Sequence, residues 1–271
     1  MAHWTTTAWT RRLPLALAAA LACAAGAAFA RPQPGVEDLG VMVEAATPEH
    51  RFLARLPSGE THLLLFFTRK SYATTPFQIV DVDLSTGRAR TVEGVPGRPG
   101  TNATVLHSDG QLYVGTAQPG GWMRYDPATG RAEALGRLAD NGAQHAVEGS
   151  DGALYVGQSG RATVQRFDPR AGRLETVGRA DGGVAAGTRY AYTLGGDGRW
   201  VYVASGHAPW SLVVFDRARG TQARFLEGEG LRWLEVFRRP DGWYATALLR
   251  DGGRRVYALR DGRPAPLAPG R

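Results

Sequence analysis

The chain has 271 residues, a formal net charge of +7, 43% hydrophobic residues and one cysteine. A single cysteine excludes an internal disulfide or a thiolate metal cluster, and the composition excludes a disordered or collagen-like chain. The positive charge is almost all arginine, with Lys70 the only lysine. It is spread along the chain rather than gathered in a basic block, which argues against nucleic acid as a partner.

Residues 1–30 read as an export signal. Arg11 and Arg12 form a positive n-region, Leu13 to Ala25 is apolar, and Ala28-Phe29-Ala30 is an A-x-A cleavage site. The apolar run is too short and Ala-rich for a membrane span, and no later stretch approaches it, so no transmembrane span is expected. Thr10-Arg11-Arg12-Leu13 resembles a twin-arginine signal, although Pro14 stands where an aromatic residue is expected. Cys23 follows Ala20-Leu21-Ala22 and is either a lipid-anchoring cysteine or a small apolar residue cut away with the leader. The expected location is periplasmic or extracellular. Cleavage after Ala30 leaves about 240 residues, without cysteine and with a charge of about +5, enough for one domain with its own core.

Internal repeats organise the rest. Asp109-Gly-Gln-Leu-Tyr-Val-Gly115 is followed by Tyr125-Asp-Pro-Ala-Thr-Gly-Arg131, and Asp151-Gly-Ala-Leu-Tyr-Val-Gly157 by Phe167-Asp-Pro-Arg-Ala-Gly-Arg173. Looser copies start at Ser58, Asp197 and Asp241. The Asp-Gly markers at 109, 151, 197 and 241 advance by 42, 46 and 44 residues. A period in the low forties made of strand and turn residues predicts propeller blades. Asp-Gly between apolar alternations is a hairpin turn, because Gly accepts positive φ. Leu-Tyr-Val runs favour strands.

The sequence therefore predicts an all-β propeller of about five four-stranded antiparallel blades, near 47–97, 98–140, 141–183, 184–229 and 230–271. Inner strands are expected near Arg51–Arg55, Asn102–His107, His145–Gly149, Tyr190–Leu194 and Trp233–Phe237. Residues 35–40 match the outer-strand pattern and read either as a closing strand or as the remnant of a lost blade.

The Asp-Gly-x-Leu-Tyr-Val-Gly and Tyr/Phe-Asp-Pro-x-x-Gly units resemble the repeats of bacterial propellers of the streptogramin-lyase-like and gluconolactonase-like kinds, over residues 50–262. These motifs mark turns and blade cores, so the resemblance implies fold rather than activity. Gluconolactonase-like enzymes hold a divalent metal on inner-strand carboxylates and an Asn. The comparable positions are Asn102, Glu148 and Glu235, in a different context. Streptogramin lyases use a His in a Gly-rich segment, which His207 after Ser205-Gly206 resembles. Thr86-Gly87 and Thr129-Gly130 match the unit of quinone-dependent dehydrogenases without its tryptophan, so no quinone cofactor is expected.

Propeller ligands sit where the loops entering the inner strands meet the loops between second and third strands. The entering residues are His50, Arg51, Asn102, Gln144, His145, Arg189, Tyr190, Arg232 and Trp233. The second loops add Trp122, Ser159, Arg161, His207, Trp210 and Arg250. Arginine, histidine and aromatic rings with few carboxylates suit an anionic or sugar-like ligand. Two readings stand: a binding or interaction module whose partner is an anionic glycan or an envelope protein, with no cofactor, or a lactonase-like hydrolase or lyase. In the second, His145 or His207 is the base, with a divalent metal as the optional cofactor. No G-x-S-x-G, H-E-x-x-H or phosphate-loop motif is present.

Overall fold

The computed structural model describes residues 46–69, 77–95, 98–117, 120–181, 189–206, 209–228 and 230–267. They all belong to one compact unit, Val41–Arg271. The expected signal segment, Cys23, residues 35–40 and His207 lie outside the described residues. Every regular element described is a strand, and no helix among them could cross a membrane.

Among the described residues twenty strands form four-strand antiparallel meanders. The first sheet is β1 (Ala46–Arg55), β2 (Thr61–Arg69), β3 (Phe77–Asp83) and β4 (Ala89–Val95). The second is β5 (Arg98–Leu106), β6 (Leu112–Ala117), β7 (Gly121–Asp126) and β8 (Arg131–Arg137). The third is β9 (Gly142–Glu148), β10 (Leu154–Gly160), β11 (Thr163–Asp168) and β12 (Arg173–Arg179). The fourth is β13 (Arg189–Gly196), β14 (Trp200–Gly206), β15 (Trp210–Asp216) and β16 (Thr221–Gly228), and the last is β17 (Leu231–Arg239), β18 (Gly242–Leu249), β19 (Arg254–Arg260) and β20 (Arg263–Pro266). Short pairings join the middle three sheets: Ala117 with Gly142, and Ser159 and Gly160 with Tyr190 and Arg189.

The core lies between successive sheets, in four clusters. Leu64, Phe66 and Ile79 meet Leu112, Val114 and Tyr125, and Tyr113 and Trp122 meet Leu154, Val156 and Phe167. Tyr155 and Val164 meet Leu194, Val203 and Phe215, and Tyr202, Leu212 and Val214 meet Leu234, Val236 and Trp243. A sheet packed on both faces needs apolar residues at consecutive positions, which explains the Leu-Tyr-Val runs. In β15 every residue from Trp210 to Asp216 is buried. Each buried Leu, Val or Phe side chain stabilises the fold by about 1.5–3 kcal/mol.

The repeat glycines have a packing role. A Cβ on Gly115 would come within 2.3 Å of the Ala143 Cβ, and one on Gly157 within 2.6 Å of the Ala191 carbonyl oxygen. Each closes the Leu-Tyr-Val-Gly unit where the next sheet's first strand passes. The hairpin aspartates are turn caps, as their recurrence predicts. Asp126 accepts from the Ala128 N–H at 2.9 Å and the Thr129 hydroxyl at 2.9 Å.

Candidate ligand site at one end of the sheets

The first strands β1, β9, β13 and β17 each carry a one-residue irregularity just after they begin. The register skips Glu49, Gln144, Tyr192 and Arg232 in turn, and β5 is irregular between Pro99 and Thr104. Such bulges re-aim a side chain and end regular pairing. Their recurrence marks one end of every sheet, where first strands start and second strands finish. The opposite end is closed by the Asp-Gly hairpins between first and second strands.

At the bulged end of the fourth and fifth sheets, four aromatic rings converge. Trp210 and Trp233 have centroids 4.8 Å apart, Tyr192 lies 5.1 Å from Trp210 and 5.4 Å from Trp233, and Tyr190 lies 5.2 Å from Tyr192. All the contacts are tilted, the geometry that ring quadrupoles favour over a flat sandwich. Trp210 is buried, whereas Trp233 keeps 38% of its surface exposed. Burial, reinforced by Tyr190, pushes the Tyr192 hydroxyl pKa up, so it stays protonated. Trp210 rests against Gly206, where a Cβ would come within 2.5 Å of its ring.

Arginines stand at the same end of these two sheets. Arg189 donates to the Pro209 carbonyl at 3.3 Å. Arg232, Arg250, Arg254 and Arg255 are exposed, and among the described residues none makes an ion pair. Trp233, Leu248 and Arg254 lie in one cross-strand row. The nearby Asp251 is occupied by the Gly253 N–H at 2.8 Å.

The sequence candidates divide. Tyr190, Trp210, Trp233, Arg189 and Arg232 gather here. Gln144 and His145 stand at the same end of the third sheet, but His145 faces inward opposite Gly157. Its Nδ1 is buried without a partner, and burial pushes its pKa down to about 4, so the ring is neutral. Arg51 is exposed on β1, and the side chains of His50 and Asn102 lie outside the described residues. Trp122, expected at the mouth, is core instead: only 1% exposed, stacked at 6.0 Å on Tyr113. Its strand starts at Gly121, one residue before it, so the ring enters the wedge between sheets.

The carboxylates expected as metal ligands are placed apart. Glu148 ends β9 at the hairpin end, where it accepts from the Ser108 N–H at 2.9 Å and hydroxyl at 2.6 Å. Glu235 is exposed opposite Thr246 on β17. Among the described residues no three His, Asp, Glu or Cys side chains form a group that could hold a metal ion. Sequence reasoning missed Tyr192, because the repeat alignment carries no sign of the bulge, and missed Arg254 and Arg255.

No protein-family model and no curated protein matches the chain. Solved structures do. A virginiamycin B lyase from Staphylococcus aureus matches with TM-score 0.54 at 12% identity, over 87% of this chain and 74% of that one. An oligogalacturonate lyase in complex with manganese matches with TM-score 0.52 at 13% identity, over 82% and 73%. A putative 6-phosphogluconolactonase from Bacteroides uniformis matches with TM-score 0.51 at 19% identity, over 76% and 66%. The chain spans from 33% to 74% of the lengths of such structures. At these identities the likeness is one of fold, and the chain is a β-propeller similar to the streptogramin-lyase-like and gluconolactonase-like propellers.

Proposed function

We propose that the protein is an exported, five-bladed propeller that binds an anionic, ring-bearing ligand at the aromatic end of its fourth and fifth blades. The ligand class is an acidic oligosaccharide, and the compartment is the periplasm or the cell exterior. The observation that carries the reading is the half-open aromatic box: Trp233 is exposed at 38% yet held at 4.8 Å from buried Trp210. A ring fixed from behind and open in front is pre-organised for stacking. Arg232, Arg250, Arg254 and Arg255, without an ion pair among the described residues, supply charge for carboxylate groups. One of the structural neighbours is named for an acidic saccharide, which suggests the first compounds to try.

A tryptophan-fluorescence titration tests this. Hexuronic-acid oligosaccharides should give a saturable change, and neutral oligosaccharides of the same length a much weaker one. Absence of a change with both sinks the reading.

His145 keeps a second reading open, that of a propeller hydrolase or lyase. Its imidazole is neutral with an Nδ1 that has no partner, the form a general base needs. Turnover of a bound saccharide that disappears in His145→Gln, with binding retained, would favour the enzyme.

A further inference from the structure

The second and third sheets share one polar network on their outer halves. It joins the hairpin Asp, the Tyr four residues on, an Arg in the third strand and a Glu in the fourth. Tyr113 donates to Asp109 at 3.1 Å and Tyr155 to Asp151 at 3.1 Å. Arg166 binds Asp151 at 3.1 Å and lies 3.6 Å from Glu175, and Arg124 pairs with Glu133. In the first sheet all four positions differ: Ser58, His62, Asp81 and Arg90. The cross-strand charges have exchanged places, and an imidazole replaces the phenol.

Asp81 is buried and fully engaged. It accepts from His62 Nδ1 at 2.6 Å, from the Tyr125 hydroxyl at 2.6 Å and from Arg90 Nε at 2.9 Å. A carboxylate held this way fixes the imidazole orientation and keeps the ring proton on Nδ1. The lone pair of Nε2 is then left, and among the described residues Nε2 has no partner.

His62 borders an outer cleft of about 330 Å³, with Glu60, Asp83, Arg88 and Arg90 on its walls. Asp83 is spent on Ser85 and Thr86. Among the described residues Glu60 is held only by the Ser58 hydroxyl at 3.1 Å, and Arg88 makes no ion pair. The cleft thus offers two acceptors, Nε2 and Glu60, and one forked donor, Arg88. The corresponding clefts farther along the chain have their charges paired: Arg217 with Glu175 at 2.7 Å, and Arg219 with Asp216 at 3.8 Å.

We propose that the cleft between the first and second sheets is a second binding site, for a small α-amino-acid zwitterion. Arg88 takes the carboxylate, and His62 Nε2 and Glu60 take the ammonium. The site is independent of the aromatic end.

The test follows the histidine ring signals of the exported protein by NMR, with glycine and L-serine as probes and acetate and methylammonium as controls. Glycine or L-serine should shift the His62 signals saturably, with Kd of about 1 mM for so small a ligand. The controls should not. Arg88→Ala and Glu60→Gln change exposed side chains and keep the fold, and each should weaken binding about tenfold. No saturable shift at His62, an equal shift with either control, or unchanged binding in both variants would overturn the proposal.

Discussion

The two ends of the sheets differ in how they treat polar and aromatic groups. At the hairpin end, most charges are consumed: aspartates cap their own turns, Glu148 clamps Ser108, and Asp81 satisfies three donors, with Glu60 and Arg88 of the first-sheet cleft the exceptions. At the bulged end of the fourth and fifth sheets, aromatic rings pack on one another and four arginines make no ion pair among the described residues. Outside the first-sheet cleft, one end uses its interactions for stability and the other keeps them available. Substitutions should therefore separate, costing stability at the paired and capping groups of the first end and affinity at the second.

The largest expected effect is Asp81→Ala, which leaves Arg90 and His62 without their shared carboxylate. Breaking such a buried pair costs about 3–5 kcal/mol, or roughly 10 °C of thermal melting for a domain of this size. Ligand binding at the aromatic end should be unchanged. Next comes Trp233→Ala, with the reverse pattern. Affinity for the acidic saccharide should fall by about 2 kcal/mol, near thirtyfold, while calorimetric stability moves by less than about 1 kcal/mol. Equal losses of stability and affinity in either variant would erase the distinction between the ends.

A smaller effect is predicted for the triple variant of Arg250, Arg254 and Arg255 to Ser. Binding should weaken about fivefold at low salt and hardly at all at high salt, since exposed charges are screened. The smallest is a pH effect at His107. Burial opposes its charge, but the Asp109 carboxylate, the Gly152 carbonyl and Glu148 outweigh it and hold its pKa above the ordinary value of 6.5. Because the folded value is raised, the charged ring's contribution is fully present below about 6.5 and is lost as pH rises through the folded value. Denaturant unfolding of wild type and His107→Gln should differ most in acid and converge in alkali. A difference that grows with pH would contradict this.

The fold was legible because its repeats are chemically explicit. Asp109-Gly110 and Asp151-Gly152 place the turns, and the spacing between them sets four strands per sheet. The predicted inner strands agree with β1, β5, β9, β13 and β17, which start a few residues earlier than expected where the bulges lie. The site was half legible. Tyr190, Trp210 and Trp233 stand at sequence positions that a repeat alignment sends to the mouth. Tyr192 does not, because a bulge reverses the face that alternation predicts. Trp122 fails in the opposite direction, since position alone cannot distinguish a mouth ring from a wedge ring. His62 and Asp81 were hidden because Ser58 replaces the marker aspartate, and their pairing joins strands rather than neighbours in sequence.

The most direct test of the central claim is hydrogen–deuterium exchange of the purified protein with and without a hexuronic-acid oligosaccharide. Protection confined to residues 189–192, 205–206, 209–210, 231–233 and 250–255 is the predicted result. Protection at the Asp-Gly hairpins instead, or none with saturating ligand, would contradict it.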